Sequence, residues 1–276
     1  MTTTFLVLSD THDDAFPDPA ATPKVDVVLH CGDLTMIGGL SNYKKAVANL
    51  TALDAELKLV IAGNHDVSLD PKWWQENLDE DDELDEPAKA RELFKAERSN
   101  GLHFLDEGTY TFVLADNRRF TIYASPYTPD FNGYAFAYGA GEDRFGNGGE
   151  NPIPHGIDIV MTHGPPLLPS SYGDCRLDVN RDGMHCGCPM LFEAIRRTKP
   201  KLHCFGHLHE GYGIQEIDWR GDGPGGDAEG VLGPVCPVPK PGDGKTVMVN
   251  AAIMNHGDEE NNKPWILSMD LCHQFS

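Results

Sequence analysis

Five short polar runs, each closing an apolar segment, constrain this chain more than any other feature. They are Ser9-Asp10-Thr11-His12, Cys31-Gly32-Asp33, Gly63-Asn64-His65-Asp66, Thr162-His163-Gly164 and Gly206-His207-Leu208-His209. In an extended segment the side-chain period is two, so Asp10 with His12, and His207 with His209, point to one side of the backbone. A His-x-His pair alone is a weak signal, since twelve histidines in 276 residues produce such pairs by chance. Five runs of oxygen and nitrogen donors in series are not weak, and they hold enough ligands for two metal ions. The Asp33 carboxylate has two oxygens and can bridge a pair. Gly32, Gly63 and Gly206 immediately precede ligands, where a missing side chain lets backbone and metal approach closely.

The apolar runs themselves point to a mixed sheet-and-helix fold. Thr4 to Leu8 and Val25 to His30 are too short for helices and rich in aliphatic residues, as buried strands are. Leu40, Tyr43, Val47, Leu50 and Leu53 recur at helical spacing, and Leu57 to Ala62 reads as a third strand. Strand, helix, strand in that order is a βαβ unit, whose ligand-bearing loops lie at the carboxyl ends of the strands. The acidic run Asp79 to Glu86 has no glycine at a turning position and reads as a solvated loop or helix start, not a calcium loop. A helix from Pro87 to about Arg98 follows. Segments at Leu102 to Leu105, Tyr110 to Leu114 and Phe120 to Ala124 read as antiparallel strands joined by turns at Glu107-Gly108 and Asp116-Asn117. Gly139 to Asn151 reads as a loop, Ile157 to Met161 and Lys201 to Phe205 as strands, and Cys188 to Thr198 as a helix. Thr246 to Asn250 and Trp265 to Leu271 are late strands. Two polar excursions, near 170–188 and 222–245, interrupt a single domain spanning 1–276.

Charge and cysteine content narrow the partners. A formal charge of −21 disfavours a nonspecific hold on nucleic acid or an anionic membrane, and an anionic substrate would need metal ions to supply the positive field. The first residues lack a basic flank, and no apolar run approaches a membrane span of roughly 18 residues. Seven scattered cysteines, an odd number, fit reduced thiols and a cytoplasmic location. Cys186-Gly187-Cys188 lacks the two-residue spacer of a structural zinc site.

The order Asp-x-His, Gly-Asp, Gly-Asn-His-Asp, Thr-His-Gly, Gly-His-x-His resembles the signature of the calcineurin-like metallophosphoesterases. The longer runs Thr162-His-Gly-Pro-Pro166, Pro200-Lys-Leu-His-Cys-Phe-Gly-His-Leu-His-Glu-Gly-Tyr-Gly213 and Ser125-Pro-Tyr-Thr-Pro-Asp-Phe-Asn-Gly133 resemble its metallophosphoesterase-domain-containing (brain protein 239-like) branch. The resemblance covers roughly Phe5 to Leu271. It implies a four-layer α/β/β/α sandwich with two mixed sheets. It also guides the division of ligands into Asp10, His12, Asp33 and His209 around one ion, and Asp33, Asn64, His163 and His207 around the other. Some members of that branch lack the first histidine of Gly-His-x-His. His207 is present here, so the pattern implies a complete second site.

The chemistry expected of such a site is hydrolysis of phosphodiesters, cyclic nucleotides among them, by a hydroxide bridging two ions of Mn, Fe or Zn. The ions outweigh the two carboxylates and the hydroxide, and leave a positive field for an incoming phosphate. His65 is the expected proton donor to the leaving oxygen, with Asp66 orienting its imidazole. Asn132, Arg176, Arg181, His185 and His256 sit in polar loops and are candidate substrate contacts. His30, His103, His155 and His203 read as packed or surface residues. Two other readings stand beside this one: a hydrolase or lyase acting on a non-phosphate metabolite, because none of the ligands reads phosphorus specifically, and a metal-binding scaffold with little turnover.

Overall fold

Alternate residues of the apolar runs meet across a seam between two mixed sheets. Phe5, Val7, Val27, Leu29, Leu57 and Leu59 face Phe120, Ile122, Ile159, Met161, Leu202, Val247 and Val249 there. The architecture comes from a computed structural model that describes residues 2–80, 82–139, 141–169, 175–220, 236–237, 244–255 and 260–273. The first half runs β1 (Thr2–Leu8), β2 (Val25–His30), α1 (Leu40–Ala52), β3 (Ala55–Val60), α2 (Pro71–Glu76), α3 (Glu86–Ala96), β4 (Leu102–Phe104), β5 (Gly108–Val113), β6 (Arg118–Ser125), β7 (Thr128–Pro129) and β8 (Ala137–Tyr138). The second runs β9 (Ile159–Thr162), α4 (Pro189–Thr198), β10 (Leu202–Phe205), β11 (Gly213–Asp218), β12 (Cys236–Pro237), β13 (Lys245–Asn250), β14 (Trp265–Asp270) and β15 (Cys272–His273).

One sheet has the order β12-β14-β1-β2-β3-β4, the other β11-β13-β10-β9-β6-β15 with β5 on β6, and β7 pairs only with β8. Strands β1 to β4 are mutually parallel, as are β13, β10, β9 and β6. Helices cover the outer faces. Tyr43, Leu50 and Phe94 of α1 and α3 pack on Val60 and Leu102 of the first sheet, and Leu191 and Ile195 of α4 on Val160 and Met248 of the second. The result is the expected four-layer sandwich with two mixed sheets.

Local signals explain the helix ends. The Asp70 carboxylate accepts from the N–H of Lys72 and of Trp73 at the start of α2. Cys188 Sγ accepts from Leu191 N at 3.3 Å, so the second cysteine of Cys186-Gly187-Cys188 caps α4. One reading changes, and one strand goes unread. The turn at Glu107-Gly108 does not close a hairpin, because β4 pairs parallel with β3 while β5 pairs with β6 in the opposite sheet. The chain crosses between layers there, held by Glu107, whose carboxylate takes both Arg144 and the Ser125 hydroxyl. Strand β11 was not legible, since its two isoleucines, Ile214 and Ile217, stand three apart and break the alternation. Of the two excursions, 170–174 and all of 222–243 except Cys236 and Pro237 lie outside the described residues. No helix among the described residues is long and apolar enough to cross a membrane.

Arg118 clips the two sheets together at the edge away from the ligand runs. Its guanidinium donates to the Asp26 carboxylate, Thr2 O and Thr3 Oγ1, all from the first sheet. Arg118→Ala removes the charged donor from those acceptors, leaving Asp26 only its bonds from Thr4, and is expected to cost about 2 kcal/mol in urea unfolding. The Arg118 hydrogen bond holds the Asp26 carboxyl down at about 2. A carboxyl depressed in the folded state stabilises above its unfolded value, so that contribution fades as pH falls from roughly 4 through 2. Unfolding curves of Asp26→Asn and the parent should converge over that interval.

Candidate metal centre

Each ligand run leaves the carboxyl end of a parallel strand: β1, β2 and β3 in one sheet, β9 and β10 in the other. Packing of the two sheets brings all five to one edge. The runs then hold one another by backbone: Asp10 N–H donates to Gly32 O, Thr11 N–H to Asp33 O, and Gly206 N–H to His163 O. Asp10, His12, Asp33 and His207 have φ of 54°, 39°, 53° and 70°. Left-handed backbone at non-glycine residues costs about 1–3 kcal/mol each and persists where the surroundings over-determine it, as at functional sites. Glycine would relieve that strain and remove the ligand atom.

The sequence-derived ligands converge. Ligand atoms of Asp10, His12 and His209 lie within 4.8 Å of one another, as do those of Asp10, Asp33 and His163. His209 Nε2 is 3.3 Å from Asp10 Oδ1, and His163 Nε2 is 3.4 Å from Asp33 Oδ2. The Asn64 Oδ1 sits 2.8 Å from His163 Nε2 and 2.7 Å from His207 Nδ1. Asp33 Oδ2, 3.7 Å from His12 Nε2, touches both groups. Gly63 and Gly206 make room for carboxylates more than for backbone. A Cβ at Gly206 would fall 2.0 Å from Asp10 Oδ2, and one at Gly63 2.2 Å from Asp33 Oδ1.

The donor set fits cations. His12 Nδ1 and His163 Nδ1 face the carbonyls of Thr35 and Cys31 at 3.2 and 2.9 Å, which places a proton on each Nδ1. In the neutral ring the Nε2 lone pair then points at ionised carboxylate, an arrangement that a cation between them turns from repulsive to attractive. Deeper still, His30 accepts from Gly32 N–H and donates to Thr11 Oγ1, and His203 lies 2.9 Å from Thr162 Oγ1. Burial pushes both rings down to about 3, so they are neutral braces.

His65 borders the cluster, its ring 4.9 Å from that of His12. Asp66 does not orient it. The Asp66 carboxylate is buried and takes the N–H of Leu34, Thr35 and Gly63 and the Thr35 hydroxyl. The His65 Nδ1 instead meets Met36 O at 2.7 Å. Asp66 therefore acts at one remove, fixing the turn whose next carbonyl holds the imidazole. It binds N–H groups one and two residues before Met36 and leaves the adjacent ring alone, which no sequence spacing reveals. The Tyr134 ring, tilted 39° against that of His65 at a centroid distance of 4.7 Å, is a second participant that no motif marks. It lies one residue past the Ser125 to Gly133 run.

The comparisons with known proteins agree with this geometry. Residues 3–211 match the family model of the calcineurin-like phosphoesterases. The chain belongs to that family. Metallophosphoesterase domain-containing protein 1 of Homo sapiens is 32% identical over 272 residues, covering 97% of this chain and 71% of that protein. UPF0046 protein C25E10.12 of Caenorhabditis elegans is 28% identical, covering 97% and 81%. A solved crystal structure superposes with a TM-score of 0.52 at 13% identity, over 91% of this chain and 90% of the other, which speaks to the fold alone.

Within this phosphoesterase the charges are set by competition between burial and neighbours. Burial raises Asp10 and Asp33, but His209 at the first and His163 at the second outweigh it and hold both carboxyls well below their usual range. Burial likewise opposes charge on His163, yet Asp33 lifts it to about 9, while burial and His163 push His207 down to about 4. The remaining candidates lie outside this cluster. Asn132 occupies an exposed turn with φ of 57°, and Arg176 and Arg181 are exposed. His185 is exposed and donates to the buried Asp178 carboxylate at 2.7 Å. His256 lies outside the described residues.

Because His163 holds a proton below about 9 when no cation is present, a metal must displace it. Calorimetry of Mn or Zn binding near neutral pH, in buffers of different ionisation heat, should show proton release, with affinity falling as pH falls. Gly206→Ala pushes a methyl group against Asp10, and metal content after dialysis should drop at least about tenfold with the far-ultraviolet spectrum kept.

Proposed function

We propose that this phosphoesterase hydrolyses phosphodiesters, cyclic nucleotides among its candidate substrates, with two metal ions. The observation that carries the reading is the continuity of the donor set. Asp10, His12 and His209 form one group, Asn64, His163 and His207 another, and Asp33 touches both. Mixed nitrogen and oxygen donors suit Mn, Fe and Zn. When bound, such ions supply a lowered water pKa and a positive field for the phosphate oxygens.

The chain's own side chains do the rest. Asp10 and Asp33 are buried, and backbone N–H groups fix their oxygens: His207 N donates to Asp10, and His65 N to Asp33 Oδ1 at 2.8 Å. Ligand positions are thus set before substrate arrives, which limits reorganisation during reaction. His65 has Nδ1 committed to Met36 O and its ring flanked by the tilted ring of Tyr134, so Nε2 is the atom left to pass a proton to the departing oxygen.

Asn64→Ala and His207→Ala should each lower turnover of an activated aryl phosphodiester by at least about a hundredfold, beyond the range typical of outer-sphere partners, with unchanged circular dichroism. Full activity in both variants would dispose of the mechanism. A metal-loaded protein that turns over no phosphomonoester, phosphodiester or cyclic nucleotide would point to a non-phosphate substrate.

A further inference from the structure

We infer that the leaving-group side of this site is built for an apolar, ring-bearing alcohol. The inference rests on the reading of His65 as the group beside the departing oxygen. Large hydrophobic side chains that stand exposed are few among the described residues, and three of them, Met36 at 42%, Ile37 at 72% and Phe131 at 61%, occupy two turns that close on the His65 imidazole. The Met36 carbonyl takes His65 Nδ1 at 2.7 Å, and the ring of Tyr134, three residues beyond Phe131, lies tilted against the imidazole at 4.7 Å between centroids.

Scattered exposed hydrophobics are ordinary on any protein surface. Here the setting is a chain of charge −21 whose turns would ordinarily carry Gly, Asn, Asp or Ser. The glycines and asparagine are indeed present, at Gly38, Gly39, Asn132 and Gly133, and supply the positive φ. Apolar residues take the neighbouring positions, where turn geometry asks for nothing.

Both turns are pinned. Met36 N donates to Asp13 Oδ2, Gly38 N to Thr35 Oγ1 and Gly39 N to Ser68 Oγ. Across from them, Gly133 N donates to Asp130 Oδ1, and Trp73 Nε1 donates to Gly133 O at 2.7 Å. Fixed turns hold their apolar side chains at the mouth with little freedom to lose when a ring covers them. The phosphate is drawn by charge and the alcohol by apolar contact.

The test compares benzylphosphonate with methylphosphonate by calorimetry on the Mn-loaded full chain, so that it does not depend on turnover. Benzylphosphonate should bind at least about tenfold more tightly, the scale of one buried ring face. Ile37→Ser combined with Phe131→Ser should bring that preference below about threefold, and both side chains are exposed, so the fold is kept. Val113→Ser removes an exposed apolar side chain at the opposite end of β5 and β6 and should leave the preference intact. Equal affinity for the two phosphonates, no binding of either, or a preference that survives the double variant would overturn the inference. A preference that the double variant abolishes, in a protein inert towards every phosphodiester, would uphold the apolar rim and sink the catalytic reading instead.

Discussion

Two carboxylates buried between two sheets set the terms for everything around them. Asp10 and Asp33 are 0% and 2% exposed, and neither has a lysine or arginine partner among the described residues. An isolated buried carboxylate is too costly to keep ionised, so its charge must be answered by hydrogen bonds, protons or metal ions. Backbone N–H groups answer part of it. Imidazoles answer more, and the clustering of their nitrogens with the carboxylate oxygens leaves a share that a cation could fill.

The surrounding structure exists to hold that arrangement still. Ligand residues in left-handed backbone, glycines that admit a carboxylate where a methyl would collide, and neutral buried histidines behind two of the runs all restrict motion at the same edge. Asp66 belongs to this supporting layer. Its four donors stitch the second run to the third, and through the Met36 carbonyl they set the direction of His65. Remote effects of this kind are strong because a site is only as well placed as the residues that lock its rotamers.

Polar and apolar side chains occupy different positions around His65. The candidate metal ligands are polar, and all but the half-buried His207 and His209 are buried, whereas Met36, Ile37 and Phe131 lie outside them and are exposed. His65 stands between the two regions. On so acidic a chain the division lets local positive charge attract an anion that the overall field would repel.

Much was legible in the residues themselves. Short apolar runs ending in ligand-type side chains gave the strands, because a buried strand declares itself by composition, and its carboxyl end is where an open α/β sheet binds ligands. The seven ligand candidates were legible as residue types that close those runs, although Asp10, His12 and His207 take left-handed backbone, so the two-residue period of an extended strand is not what places them. Partners across the fold were beyond reach: the change of sheet at Glu107, the pairing of β11, the turn of Asp66 towards Thr35 and the contact of the Tyr134 ring with His65. Local chemistry fixes which atoms a segment can offer, and the sequence states it outright. Which of those atoms meet depends on how two sheets pack and where loops cross between them, and such long-range contacts leave no periodic trace in the chain.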